Sequence, residues 1–238
     1  ISARRLSAAA VALIETSGRV IDIALEYDYA SHEVFTRAFK RMFGQTPSSF
    51  RRAKKNAGLI PQKPRVTKAY LDHLYGGITM TPEITTVETF TAVGIAGCFV
   101  PHGANEQPTN MTVIPKLWQT FRSHAAYLDE GALGLRVGVI GGAPTGENHL
   151  EYLAGRRMTG ELEVPTGFET RDVPAGEYAK FTHKGPMRNI DHTMHYIFGS
   201  WLPKSGRKLA VGPEFGLYPD EYDPASTDGE MYIYVPLE

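Results

Sequence analysis

The spacing of apolar residues along this chain changes from three or four positions to two, and the change falls near residue 80. Before it, Leu6, Ala9 and Leu13 recur at intervals that are typical of a helix. After it, residues 83–97 (EITTVETFTAVGIAG) alternate as a pair of strands does. The 238 residues are enough for two modest domains. We expect a helical domain at 1–57, a linker at 58–79 and an α+β domain at 80–238.

Charge divides the chain in a similar way. Residues 1–68 contain 13 Lys and Arg against 5 Asp and Glu, a balance of +8, and the other 170 residues contain 12 against 21, a balance of −9. This asymmetry predicts a basic module for a polyanion beside an acidic domain with another task. A solvated basic face with no partner is the alternative reading of charge alone.

Composition excludes several classes of protein. The single cysteine, Cys98, allows no internal disulfide and suits a reducing cytosol. No apolar run approaches the roughly 18 residues that span a bilayer, and no secretory signal leads the sequence. We therefore expect a cytoplasmic protein without a membrane partner. The chain starts with Ile1 inside a helical pattern, so we also expect further residues upstream.

No pattern in the sequence predicts a metal, a cofactor or a catalytic residue. His192 and His195 lie three positions apart beside Asp191 and could hold a metal. Without a further acidic or Cys partner at a fitting interval, they are better interpreted as ordinary histidines on a helix surface.

Two helices and a tight turn form the centre of the basic region. Residues 20–27 predict a short helix, residues 28–30 a turn, and Ser31 the N-cap of the next helix. That next helix has an apolar stripe and an opposed polar stripe. The apolar stripe contains Phe35, Ala38, Phe39 and Met42, and the polar stripe contains His32, Glu33, Thr36, Arg37 and Lys40. The arrangement predicts a helix-turn-helix whose second helix enters the DNA major groove.

A basic segment follows the second helix. Gly44 is expected to end that helix, and Thr46-Pro47 supplies a cap and a first helical position for another. Arg51 and Arg52, with Lys54 and Lys55 after them, are expected to neutralise phosphates of the duplex.

These residues together resemble the second helix-turn-helix of the AraC/XylS family of transcription regulators. The resemblance spans about 50 residues and rests on "DIA", "Y-x-S", "F-x-R-x-FK" and "G-x-T-P-x-x-F-R". It implies that His32, Glu33, Thr36 and Arg37 point toward bases of double-stranded DNA. Asp28 stands where the family usually has Gly, so we expect a left-handed backbone there. The family carries two such motifs, and the first is expected upstream of Ile1.

The acidic region is predicted to be a duplication. Ala92 and Ala96 match Ala175 and Ala179 at an offset of 83 residues, and a predicted helix follows each copy. Two strand-helix-strand-strand units predict an antiparallel sheet with both helices on one face. We expect the other face of the sheet to curve around a ligand.

The acidic region also resembles the GyrI-like effector-binding domains over roughly residues 80–238. The segments that carry the resemblance are DVPAGEYAKFTHKGP, GSWLPKSG, GPEFGLYPDEYDP and EMYIYVPLE. It implies a groove between the repeats for an amphipathic, often cationic, small molecule, held by aromatic rings and a buried carboxylate. The candidate ligand-binding residues are Trp118, Tyr152, Tyr178, Glu214, Tyr218 and Tyr232.

One departure from that family bears on activity. Gly216 stands where the family commonly has Glu, and Glu214 lies two positions earlier on the same strand face. Some relatives use that Glu, with a Tyr, for hydrolysis, so its loss argues against an enzyme. The sequence therefore predicts a DNA-binding regulator that senses a small molecule. Binding of that molecule is expected to change either the affinity for an operator or the contacts with RNA polymerase. A GyrI-like hydrolase or a topoisomerase-interacting module is the alternative.

Overall fold

The computed structural model describes residues 2–43, 46–52, 67–101, 108–128, 130–141, 149–161 and 163–238. Within these ranges no helix is both long and apolar enough to cross a bilayer. The sequence predictions for Ile1, Gly44, Lys54 and Lys55, and for the side chain of Met42, lie outside the described residues.

A small all-helical body forms the N-terminal part of the structure. Its helices are α1 (Ser2–Glu15), α2 (Val20–Glu26), α3 (His32–Phe43) and α4 (Pro47–Arg52). Phe35 and Phe39 of α3 are fully buried, and their rings contact each other at 5.4 Å between centroids. Phe50 of α4 packs edge-on against Phe39 at 5.2 Å. The predicted apolar stripe is therefore the core of this body.

Local signals set the ends of these helices. The hydroxyl of Ser31 accepts a hydrogen bond from the Val34 amide at 3.3 Å, and Thr46 caps α4 at the Ser49 amide at 3.2 Å. Asp28 has φ 60°, the left-handed conformation that the sequence analysis predicted for it. The helix-turn-helix geometry thus arises from short-range hydrogen bonds and from the left-handed backbone of Asp28.

The C-terminal part contains one antiparallel sheet of eight strands in the order β1-β6-β8-β7-β3-β4-β2-β5. The strands are β1 (Glu83–Val87), β2 (Phe90–Phe99), β3 (Leu133–Ile140), β4 (Leu150–Met158), β5 (Glu169–Val173), β6 (Gly176–Lys184), β7 (Glu214–Tyr218) and β8 (Glu230–Leu237). The helices with them are α5 (Lys68–Gly76), α6 (Asn110–His124), α7 (Ile190–Tyr196), a π-helical turn (Ile197–Trp201) and α8 (Leu202–Ser205). Short 3-10 turns lie at Ala125–Tyr127, Glu130–Ala132 and Met187–Asn189.

The strand order confirms the duplication. One half of the sheet is β3-β4-β2 with α6, and the other is β7-β8-β6 with α7. Each unit also has an additional first strand, and the two units exchange these strands, because β1 pairs with β6 and β5 with β2.

The register of the duplication differs from the predicted one. In the exchanged strands, Val87 pairs with Gly176 and Val173 pairs with Phe90, so equivalent residues are 86 positions apart. The offset of 83 was wrong because the match of small residues is too short to define a register. The tryptophans are also not equivalent: Trp201 lies in the π-helical turn and packs on Phe181.

Both predicted helices lie on one face of the sheet, as expected. α6 packs on β2 and β4, where Leu117 meets Gly97, and the α7 segment packs on β6 and β8. The expectation that the opposite face holds a ligand stays a prediction. That face carries an apolar cluster that includes Phe90, Tyr178 and Phe215, because the curved sheet brings side chains of distant strands together.

Candidate functional site

The polar face of α3, which consists of His32, Glu33, Arg37 and Lys40, is exposed along its whole length. The apolar stripe on the opposite side anchors α3, so these four side chains project away from the helical core. A helix that presents such a face fits the width of the major groove, where Arg forks onto guanine and His or Glu contacts base edges. Three of the four side chains predicted to point toward bases, His32, Glu33 and Arg37, lie on this face, and Lys40 lies beside them.

Thr36 and Arg51 have different surroundings from the polar face. The hydroxyl oxygen of Thr36 is buried. The guanidinium of Arg51 donates from Nε to the Leu13 carbonyl at 2.9 Å and from Nη2 to the Gly18 carbonyl at 2.7 Å. Arg51 thereby satisfies carbonyls at the end of α1. Arg52 is exposed and free to approach a phosphate.

A second candidate site is a cavity of about 530 Å³ in the C-terminal domain. Its walls are α6 and the α7 segment, and its floor is the central strand pair β3–β7 with the flanking strands β4 and β8. Four of the six predicted ligand-binding residues line it: Trp118, Tyr152, Glu214 and Tyr218.

Two glycines at the centre of the floor create the space. Gly138 of β3 pairs with Gly216 of β7, at the boundary between the two units. Tyr152 from β4 lies across Gly138, and a Cβ placed there would be 2.6 Å from the Tyr152 Cζ atom. Met231 from β8 lies across Gly216 in the equivalent way, with Cε 2.8 Å from such a Cβ. A glycine inside a strand often marks such a close approach.

A chain of hydrogen bonds crosses the cavity floor. Trp118 Nε1 donates to the Tyr152 hydroxyl at 3.1 Å, and that hydroxyl is 3.1 Å from the hydroxyl of Tyr218. The ring of Tyr218 also meets the ring of Trp118 edge-on at 5.2 Å between centroids. Burial raises the pKa of Tyr152 to about 12, so its hydroxyl stays protonated and available for this chain.

Glu214 is the carboxylate of the cavity floor. It is half-buried, and no Lys or Arg among the described residues forms an ion pair with it. Burial raises its pKa to about 7, because the surrounding groups solvate the charged form less well than water does. Glu214 and Gly216 face the same side of β7, as the sequence predicted.

Arg122 and Arg136 also line the cavity, and the guanidinium of Arg136 is bonded to backbone carbonyls. Its Nη2 atom donates to the carbonyls of Pro219, Asp220 and Tyr222, the second at 2.9 Å. These bonds hold the segment after β7. A proton or a positively charged ligand can neutralise Glu214.

Tyr178 and Tyr232 are not in the cavity lining. Tyr178 is 1% exposed in the cluster on the opposite sheet face, and its hydroxyl donates to the Pro174 carbonyl at 3.3 Å. Tyr232 lies under the Lys180 ammonium group, 5.0 Å from its ring centroid. On β8 the residues on either side of Tyr232, Met231 and Ile233, line the cavity, so the strand alternation turns Tyr232 to the other face.

Sequence reasoning missed several lining residues. Asp191, Met194, His195 and Phe198 line the cavity from the α7 segment, whereas His192 faces Tyr70 and His73. Within the described residues no three His, Cys, Asp or Glu side chains come together as metal ligands. Gly138, inside the predicted strand LRVGVIGG, is the feature of the sequence that could have indicated the cavity floor.

Comparison with protein families gives two matches along the chain. The model described as GyrI-like small molecule binding domain matches residues 80–238, and a helix-turn-helix domain model matches residues 1–53. The two matches cover the acidic α+β part and the basic helical part in turn.

Two relatives match nearly the whole chain. The transcriptional regulator Rob of Salmonella typhimurium is 25% identical over 234 residues, which are 96% of this chain and 76% of that protein. The right origin-binding protein of Escherichia coli is 27% identical over 223 residues, 92% of this chain and 73% of that protein. Among known structures, SAV2435 bound to tetraphenylphosphonium matches with TM-score 0.52 and 14% identity. That match covers 66% of this chain and 93% of that one.

The glycine pair gives a matched test of the cavity floor. Gly138→Ala should destabilise the protein by about 1–3 kcal/mol, because the new methyl group displaces the rigid Tyr152 ring. Gly216→Ala should cost less, because the flexible end of Met231 can move. Thermal unfolding and Trp118-selective changes in fluorescence measure both effects. An equal loss of stability in the two variants would contradict the proposed difference between Tyr152 and Met231.

The raised pKa of Glu214 predicts a pH-dependent penalty on stability. Between the unfolded value of 4.5 and the folded value of about 7, the folded state retains a proton that the unfolded state releases. Stability therefore falls as pH rises through this window, and the penalty is complete above it. Glu214→Gln should be more stable than the wild type at pH 8, by on the order of 2–3 kcal/mol.

The matched condition for this test is pH 4.5, where the two proteins should have nearly the same free energy of unfolding. Urea unfolding at both pH values measures the difference. A variant that is no more stable than the wild type at pH 8 would show that Glu214 is solvated or paired.

Proposed function

This chain belongs to the family of GyrI-like small molecule binding domains, with an AraC-type helix-turn-helix domain ahead of it, and we propose that its cavity senses an amphipathic organic cation. The two domains make it a DNA-binding transcription regulator with a small-molecule binding domain. In our proposal, the bound cation changes the affinity for an operator or the contacts with RNA polymerase.

The observation that carries the proposal is the state of Glu214. A carboxylate in an apolar, aromatic cavity, with no ion-pair partner in the part of the chain that the structure describes, favours a ligand that is both positively charged and largely apolar. Trp118 and Tyr218 offer ring surfaces to such a cation. The structure named SAV2435 contains tetraphenylphosphonium on a related fold, which makes that ion a suitable probe.

The binding experiment tests the charge of the ligand and the charge of Glu214 while their shapes stay similar. Tetraphenylphosphonium should bind the full chain, and Glu214→Gln should weaken binding about tenfold or more, since an attraction of about 1–2 kcal/mol is lost. The wild-type affinity should fall as pH drops from 8 to 6, because Glu214 becomes protonated near pH 7. Isothermal titration calorimetry measures both.

A neutral analogue, triphenylphosphine oxide, is the matched control ligand. It should bind weakly, with the same affinity for wild type and Glu214→Gln. Equal affinity of the cation and the neutral analogue for the wild type would refute a cation sensor and leave a purely apolar pocket.

The DNA-binding part of the proposal rests on the polar face of α3. Against a duplex selected from a random pool by the full chain, Arg37→Ala should lose about 1–3 kcal/mol of binding free energy if Arg37 contacts a guanine. Its thermal stability should not change, because the side chain is exposed. Fluorescence anisotropy on selected and unrelated duplexes measures the loss.

Two variants separate the possible roles of arginine. Arg52→Ala should weaken binding by a similar factor on both duplexes, as loss of a phosphate contact does. Arg51→Ala should lower the melting temperature, because its bonds to the Leu13 and Gly18 carbonyls are lost. Equal losses for Arg37→Ala on both duplexes would reduce Arg37 to a phosphate contact.

A further inference from the structure

Three buried polar side chains form a hydrogen-bonded relay outside the cavity. His73, His183 and Thr193 are 6%, 0% and 0% exposed. The Thr193 hydroxyl lies 2.7 Å from His73 Nε2 and 2.7 Å from His183 Nδ1. The three residues come from α5, β6 and α7, so the relay joins three separate elements.

The two hydrogen bonds at the Thr193 hydroxyl must have opposite directions. A threonine hydroxyl has one hydrogen, so Thr193 donates to one imidazole and accepts the N–H of the other. Burial lowers the pKa of both histidines to about 4, so both rings are neutral at physiological pH and can take these opposite roles. The loss of either bond leaves a buried polar group without a partner, and the two bonds are therefore interdependent.

The third element of the relay, α7, is also a wall of the cavity. Ile190 and Met194 line the cavity from one side of this seven-residue helix, while Thr193 faces the relay on the other side. The π-helical turn that continues α7 contributes Phe198 to the cavity. Turns of this kind often mark functional sites, because their hydrogen bonding is irregular.

The first element of the relay, α5, is where the chain enters the C-terminal domain. Residues 53–67 connect the helical domain to α5 along the sequence. After α5, the backbone pairs directly with β6, through the Lys184 amide to the Gly77 carbonyl at 2.9 Å and the Thr79 amide to the Thr182 carbonyl at 3.0 Å. Among the described residues, α7 contacts α5 through the side that carries Thr193 and His192.

The packing of His73 shows that the attachment is specific. Its ring lies directly over Gly77, where a Cβ would be 2.5 Å from the ring Cε1 atom. Tyr70, one turn earlier on α5, meets the ring of His192 at 5.6 Å between centroids. An apolar contact would bury the helix equally well, but it would not define one position of α5 relative to α7.

We propose that the His73–Thr193–His183 relay is the joint through which cavity occupancy reaches α5, the element at which the chain enters the C-terminal domain. The proposal rests on the proposed cation-binding function of the cavity. A ligand that moves the cavity side of α7 moves Thr193 with it, because both belong to one short helix. The two hydrogen bonds then either carry α5 along or break together, which gives the domain two discrete arrangements.

Hydrogen exchange of the full chain, with tetraphenylphosphonium as the probe, tests this joint. In the wild type, the probe should slow exchange in both α7 and α5. In Thr193→Val, which keeps the shape and removes both bonds, the protection of α7 should persist and that of α5 should fall at least about tenfold. Thr193→Ser restores the hydroxyl and should behave as the wild type does.

A ligand-free arm keeps the two proposals distinguishable. Coupling is reciprocal, so His73→Leu on α5 should speed exchange in α7 without any probe, whereas Leu71→Ala on the exposed side of α5 should not. If the probe does not bind the wild type, the cation proposal fails. The ligand-free comparison still tests whether the relay couples α5 to α7. The proposed joint would be overturned if the probe protected α5 in Thr193→Val as it does in the wild type, or if His73→Leu left α7 exchange unchanged.

Discussion

The close contact between Tyr152 and Gly138 is the interaction on which the cavity depends. Because β3 carries no side chain at that position, the ring lies across the strand, and its hydroxyl meets both Trp118 and Tyr218. One oxygen thus connects α6 to the floor of the sheet. In the other unit Met231 covers Gly216, so the duplicated architecture has one rigid half and one adaptable half. Such asymmetry suits a pocket that must hold its shape and still fit its ligand.

The C-terminal domain keeps polar groups where apolar ones would stabilise it more. Glu214 has its pKa raised to about 7 by burial, which is a cost to the folded state at neutral pH. The relay centred on Thr193 places two imidazoles and a hydroxyl at a buried site. Stability alone does not require either arrangement. Both lie on elements that line or support the cavity.

The accuracy of the sequence predictions depended on the distance between the residues involved. The caps at Ser31 and Thr46 and the left-handed Asp28 were read correctly, because each follows from neighbours a few positions away. Arg51 was assigned to phosphate from its place in a basic run, and it bonds carbonyls at the end of α1. Tyr178 was assigned to the pocket, and the curvature of the sheet places it in the opposite cluster.

The sequence alone determined the two-domain division, the family of each domain and the duplicated order of elements, because charge, periodicity and motifs are local properties of the chain. Only the tertiary structure decided which sheet face holds the cavity and which side chains reach it. A strand alternates between two faces, and a shift of one residue exchanges them. The pairing of Gly138 with Gly216 and the meeting of His73 with His183 join residues far apart in the chain, and long-range packing alone brings them together.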